Sequence, residues 1–264
     1  MNFMRTLLTL AVLTVLPTIT MAQQTAEFRW DGAIEAGKAL EIRGLNGEID
    51  ATPASGSRAE VIAVRHAKKS DPNEVEIVVV EHGGGVRICA AYPLEDGGVS
   101  DVCGEGQSDH HKNHKKNDIV VDFTVRVPTG VDFVGGTVNG SIEANGLRGD
   151  VRVHTVNGAV SASGTGTVEA HTVNGAIDVS MGRGTWSGTL SLHTVNGSIT
   201  VGLPADANAS VVAQTVNGGL NSDFPLAVAA GKRWGPRRIE GSIGTGGGRL
   251  EMQTVNGSIK LARN

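Results

Sequence analysis

The tetrapeptide Thr-Val-Asn-Gly occurs six times, at residues 137–140, 155–158, 172–175, 194–197, 215–218 and 254–257. Gly44-Leu45-Asn46-Gly47 is a weaker seventh copy. Successive Asn residues of the six copies lie 18, 17, 22, 21 and 39 positions apart. A fixed phrase at a period near 20 is the signature of stacked structural repeats. Few other architectures accommodate it.

Around each copy the apolar residues alternate. Leu190, Leu192, Thr194 and Asn196 share one parity, followed by Ile199 and Val201. Val151, Val153, Thr155 and Asn157 repeat it, followed by Val160 and Ala162. Side chains alternate across a strand, so each repeat reads as strand, Asn-Gly corner, strand, with one apolar face. Asn-Gly often marks a tight antiparallel hairpin. A short period of near-identical phrases instead favours coils stacked in register, a parallel β-solenoid. The expected fold is therefore all-β: a parallel solenoid with an N-terminal antiparallel β cap or lead-in.

This alternation places Thr and Asn inward. Asn139, Asn157, Asn174, Asn196, Asn217 and Asn256 are expected to form a structural ladder, hydrogen-bonded coil to coil inside the corner. Gly after each Asn is expected to tolerate the bend. Val138, Val156, Val173, Val195, Val216 and Val255 would then face outward, unless the corner breaks the phase at Thr. Both readings stay open from the sequence.

The first 22 residues read as a signal peptide: Arg5, an apolar core from Leu7 to Val15, and Thr20-Met21-Ala22 before a cleavage point. The apolar core is too short to span a bilayer, so no membrane span is expected in the mature chain. Export to the periplasm, or secretion to the cell surface, follows. Cys89 and Cys103 are the two cysteines, and in an oxidising compartment such a pair reads as a disulfide. Net charge is −4, or −5 without Arg5, which points to neither nucleic acid nor an anionic membrane as partner. The expected organisation is residues 1–22 as signal peptide, 23–130 as cap or lead-in, and 131–264 as solenoid repeats.

Phrases such as Val127-Pro128-Thr129-Gly130-Val131, the repeated Thr-Val-Asn-Gly with Ile following, and Ile239-Glu240-Gly241-Ser242-Ile243 resemble the bacterial putative-adhesin domain family of unknown function. The resemblance covers roughly residues 38–262. It implies a β-solenoid of cell-envelope proteins, adhesin-like in the loose sense, with no catalytic motif to transfer.

Four sets of residues could carry function. His154, His171 and His193 precede Thr in three successive copies, with Gln214 and Gln253 in the same place later. Stacked imidazoles could bind a metal or respond to pH, but parallel rings converge poorly on one ion. His110, His111 and His114 form a second metal candidate, with Lys112, Lys115 and Lys116 opposing it. Arg233, Trp234, Arg237 and Arg238 lie in a basic loop that could touch an anionic glycan or a protein. Last, Glu143, Glu169, Asp178 and Glu251 fall in different columns or distant coils, so no carboxylate pair for glycoside hydrolysis can be built. No Ser or Cys nucleophile has an evident base. The sequence thus predicts no enzyme and no cofactor. It predicts a non-catalytic envelope module that meets an envelope protein, a glycan or itself, with metal binding by the His-rich loop as the alternative.

Overall fold

The structure is a computed structural model, and it describes residues 24–100, 103–104, 114–226, 228–229 and 237–264. The strands, in chain order, are β1 (Gln24–Ala33), β2 (Ala39–Arg43), β3 (Ile49–Pro53), β4 (Arg58–Ala67), β5 (Glu76–His82), β6 (Gly85–Ala91) and β7 (Val120–Val127). Five strand pairs of the repeat region follow: β8 (Asp132–Gly136) with β9 (Ile142–Leu147), β10 (Val151–His154) with β11 (Val160–Gly164), β12 (Val168–His171) with β13 (Ile177–Met181), β14 (Thr189–His193) with β15 (Ile199–Leu203), and β16 (Ala209–Asn217) with β17 (Leu220–Ser222). The chain closes with β18 (Val228–Ala229), β19 (Arg237–Ile243), β20 (Gly248–Asn256) and β21 (Ile259–Arg263). No α-helix occurs among the described residues.

These strands make two facing sheets. One runs β1-β4-β7-β3-β9-β11-β13-β15-β21-β17, the other β18-β19-β16-β20-β14-β12-β10-β8-β2-β6-β5. Each coil contributes one strand to each sheet, and neighbouring coils pair in parallel and in register. Val151, Val153 and His154 lie beside Val168, Ala170 and His171, for example. The alternating apolar residues meet between the sheets in one continuous core that includes Val153, Ala170, Leu192, Ile177, Val179, Ile199 and Val201, all essentially inaccessible. The expected parallel β-solenoid is the observed fold.

The stack is not laid down in chain order. In space the coils run β6/β7, β2/β3, β8/β9, β10/β11, β12/β13, β14/β15, β20/β21, β16/β17. The last coil of the chain inserts between two earlier ones, pairing β20 with both β14 and β16. The long 39-residue gap between Asn217 and Asn256 is thereby accounted for. It holds β19, which pairs antiparallel onto β16, and β18, which pairs antiparallel onto β19 and ends that sheet. At the other end β1 and β4 extend one sheet antiparallel, and β5 extends the other. Parallel coils also reach back before residue 130, since β2/β3 and β6/β7 stack like the rest. The expected N-terminal antiparallel cap or lead-in is formed by β1, β4 and β5, and coil strands β2/β3 and β6/β7 lie in the same stretch.

Antiparallel end strands cover the stack's last rungs, where parallel coils would leave their edges open. Cys89 and Cys103 form a disulfide with Cα atoms 5.8 Å apart. It pins the connection after β6 against the outer face of that strand. The Arg87 guanidinium adds to this, donating to the Cys103 carbonyl at 3.1 Å and to Glu41 at 2.7 Å.

Candidate functional site

The corner that carries the repeated phrase is the most regular feature of the surface. Strands β10, β12 and β14 end at His154, His171 and His193, just before Thr. The alternation stops there. Thr155, Thr172, Thr194, Thr215 and Thr254 are buried, and each donates its hydroxyl to the Gly carbonyl of a neighbouring coil at 2.7–3.0 Å. Val and Asn both turn outward.

The Asn residues do form a ladder, but on the surface, contrary to the inward expectation. Each Nδ2 donates to the Oδ1 of the coil before it at 2.8–2.9 Å, running Asn46, Asn139, Asn157, Asn174, Asn196, Asn256 and Asn217. The six Asn of the full phrase are exposed. The physical reason is local: Asn46, Asn139, Asn157, Asn174 and Asn196 sit in isolated bridges between strands, where period-2 parity no longer applies, and Asn217 and Asn256 are the last residues of β16 and β20, where Val and Asn are both exposed and the alternation has already lapsed. The weak seventh copy supplies Asn46, the first rung.

Gly in the phrase serves closeness. A Cβ on Gly158 would stand 2.0 Å from the Gly140 carbonyl oxygen, and one on Gly175 would stand 1.9 Å from that of Gly158. Neither has positive φ. The expectation that these glycines ease a bend is corrected: they let neighbouring backbones touch.

Val156, Val173, Val195, Val255 and Val216 are each 36–44 % exposed. With half-buried Leu45 and Val138 they make an unbroken apolar row. At about 4.8 Å per coil, seven rungs span roughly 29 Å. One side of the row is the Asn ladder. The other is a polar row in register: His154, His171, His193, Gln253 and Gln214.

Within that polar row His171 and His193 meet edge to face, ring centres 5.4 Å apart. His171 Nε2 lies 3.4 Å from Glu169 and 3.3 Å from Ser191 Oγ. Burial works to raise the Glu169 pKa, but hydrogen bonds from Arg152, Ser191 and His171 outweigh it and hold the carboxylate low. Burial and the neighbouring His171 push His193 below the ordinary imidazole value. Its Nε2 is buried without a hydrogen-bond partner.

Among the described residues no three His, Cys, Asp or Glu side chains gather closely enough to hold a metal. His110 and His111 lie outside the described residues. His114 packs edge-on against Tyr92 at 6.4 Å. Arg233 and Trp234 also lie outside them. Arg237 donates to the Gly218 carbonyl at 3.0 Å, and Arg238 pairs with Glu240. So the outer pair of basic residues is spent on the protein's own end strands.

The carboxylates are engaged in the same way. Glu169 holds Arg152, and Glu251 pairs with Arg249. Ser191 separates them in the row. Glu143 and Asp178 stand on either side of Ser161. An open cleft of about 630 Å³ beyond the first Asn rung is lined by Asn46, Glu48, Asp118, Asp122 and Asn139. Asp118 there accepts backbone N–H bonds from Ser70, Lys68 and Lys69, which bring its pKa down to about 2. Asp122 accepts from the Glu48 N–H. These carboxylates hold loops together.

Residues 134–262 match the family model described as Toastrack DUF4097. Over those residues the chain is similar to the Toastrack family. Solved structures that the chain is similar to include a putative cell adhesion protein from Clostridium sporogenes ATCC 15579, 10% identical, covering 91% of this chain and 100% of that one at a TM-score of 0.40. A putative adhesin from Bacteroides fragilis NCTC 9343 is 10% identical over 89% of this chain and 97% of its own, at 0.30. A putative lipid binding protein from Parabacteroides distasonis ATCC 8503 is 11% identical over 90% and 96%, at 0.21. A search of curated proteins finds no match. The Toastrack match begins inside β8, whereas the parallel coils extend upstream to β2.

Proposed function

We propose that this protein is an exported, non-catalytic module of the cell envelope, whose coil stack presents an interaction face to an envelope protein or glycan. The observation that carries the reading is the valine row. A stiff lattice holds five half-exposed valines in line, flanked by amides and imidazoles, and contiguous apolar surface of this kind marks binding sites. Thr, Gly and the backbone of the phrase are used up in making the coil. The Val row and the His/Gln row beside it are what the repeat leaves for a partner.

Export is supported by the apolar N-terminal stretch and by the disulfide, which persists in oxidising compartments. No helix among the described residues is long and apolar enough to cross a membrane. The engaged carboxylates support a role without catalysis.

The test is photo-crosslinking in the envelope of the producing cell. A photoreactive residue at Val195 is expected to trap a discrete partner, and one at Lys260, on the outer face of the opposite sheet, is not. With the photoreactive residue kept at position 195, Val173→Lys with Val255→Lys, on the two neighbouring rungs, should abolish the adduct while leaving the circular dichroism spectrum unchanged. If position 195 yields no adduct, and the purified protein binds no envelope fraction, the reading is wrong.

A further inference from the structure

The outermost strand β1 is ten residues long, and it ends its sheet. The sheet's other end is the three-residue β17, and the second sheet ends in β18 and β5. Among the described residues β1 therefore offers the longest unpaired strand edge. It pairs with β4 without a register shift from Gln24 opposite Ala67 to Ala33 opposite Arg58. It contains no Pro and no bulge, the devices by which edges are usually blunted.

Its side chains alternate cleanly. Ala26, Phe28, Trp30 and Gly32 are half-buried on the inner face, where Phe28 stands beside Ala63 and Trp30 beside Val61. Glu27, Arg29 and Asp31 are exposed on the outer face. Phe28 and Trp30 pack on the core from one side only, because the sheet stops there.

We propose that β1 is a self-association edge, at which a second copy of this chain adds its own β1 antiparallel about a two-fold axis through Phe28. The pattern selects that register. A two-fold pairing must put inner residues opposite inner residues, since a one-residue slip exchanges the faces. Centring on Glu27 or Arg29 sets like charges against each other. Centring on Phe28 puts Glu27 opposite Arg29 of the second copy, twice by symmetry. It puts Ala26 opposite the second copy's Trp30, and the two Phe28 side chains meet. This pairing uses the strand from Gln24 to Gly32. A register centred on Trp30 would also match charges, Arg29 with the second copy's Asp31. It is shorter, running only from Glu27 to Ala33; in either register the charges exchange a bond within their own chain, Arg29 with Glu27 or Arg58 with Asp31. An isologous contact of this kind closes as a dimer and leaves no free edge.

This goes beyond the valine-row reading and does not depend on it. The experiment is sedimentation of the purified, disulfide-bonded protein over a concentration series. The expected result is a monomer–dimer equilibrium. Glu27→Arg alone, or Arg29→Glu alone, should weaken association by about tenfold or more, because like charges then stand directly opposite at both symmetry-related positions. Glu27→Arg with Arg29→Glu in one chain should restore it. Mixing the two single variants should also restore it, as a heterodimer in which each Arg faces a Glu. The Trp30-centred register predicts no effect of Glu27→Arg, which would then oppose Ala33. Both positions are exposed, and an unchanged melting curve confirms each variant folds. A strictly monomeric wild type, or a dimer insensitive to the single reversals, overturns the proposal.

Discussion

Substituting Gly175 by Ala adds one methyl group at the tightest point of the stack. Its Cβ would lie 1.9 Å from the Gly158 carbonyl oxygen and 2.5 Å from that carbonyl carbon. Real Cβ atoms essentially never come within 3.0 Å, so the two coils must part locally by about an ångström. Three inter-coil bonds hold them there: Gly158 N–H to Asn174 O at 3.1 Å, Asn174 N–H to Val156 O at 2.8 Å, and Val160 N–H to Ala176 O at 2.9 Å. Weakening these at roughly 1 kcal/mol each, with an overpacking strain of about 1–3 kcal/mol, gives a cost on the order of 4–6 kcal/mol. That is a large share of the ~5–15 kcal/mol that holds an ordinary domain folded. Two other glycines separate closeness from backbone freedom. Gly188 has φ +78 with nothing within 4 Å, so Gly188→Ala isolates the left-handed strain, about 1–2 kcal/mol. Gly56 has neither constraint, and Gly56→Ala should be neutral or stabilise by up to ~1 kcal/mol. Urea unfolding of the three variants, disulfide intact, measures the order. If Gly175→Ala costs no more than Gly56→Ala, the coils are not in contact at the corner and the account of the phrase fails.

Asn174→Ala should cost less than about 1 kcal/mol by the same assay, because both ladder bonds are exposed and water replaces them. A loss above 2 kcal/mol would mean that the ladder is buried after all. Thr172→Val keeps the shape and removes the buried hydroxyl bond to Gly158 O, and should cost about 1 kcal/mol. His193 is held below the ordinary imidazole value in the fold, so its neutral form stabilises. That contribution is complete above the unfolded-state pKa near 6.5 and is lost as pH falls through the depressed folded value. His193→Gln, the residue found at Gln253 and Gln214, should flatten the fall in melting temperature between about pH 7 and pH 5. An unchanged slope would show that His193 is not the group responsible. Replacing Cys89 and Cys103 by Ser should cost about 3 kcal/mol on the chain-entropy model for a loop closed across 14 residues. An unchanged midpoint would place the disulfide outside the cooperative unit.

The strands and their inner faces were legible because period-2 alternation is a local property. Val151, Val153, Val160 and Ala162 need only their immediate neighbours to reveal which face is buried, and all four are. Thr155 continues that parity correctly. Asn157 does not, because parity holds only while the chain stays extended, and the strand has ended three residues earlier at His154. Of the sequence-derived site residues, the structure brings His171 and His193 together and leaves the Val row exposed beside them. The engagement of Arg237 by the Gly218 carbonyl and of Glu169 by Arg152 depends on strands distant in the chain, and no local signal carries it. The length of β1 could have been suspected from the alternation of Ala26, Phe28 and Trp30. Its position at a sheet edge could not.

By itself the sequence determined that this chain is a stack of β coils, with Thr buried and one coil per phrase, since a repeated phrase can satisfy its backbone only against copies of itself. The order of the coils was decided by the tertiary structure alone. Every copy presents the same register and the same corner to its neighbours, so any copy fits beside any other. The fold sets β20/β21 between β14/β15 and β16/β17, and β19 then pairs antiparallel onto the far side of β16. The exposure of Asn and Val, and the closeness that makes Gly obligatory, likewise come from how one coil rests on the next.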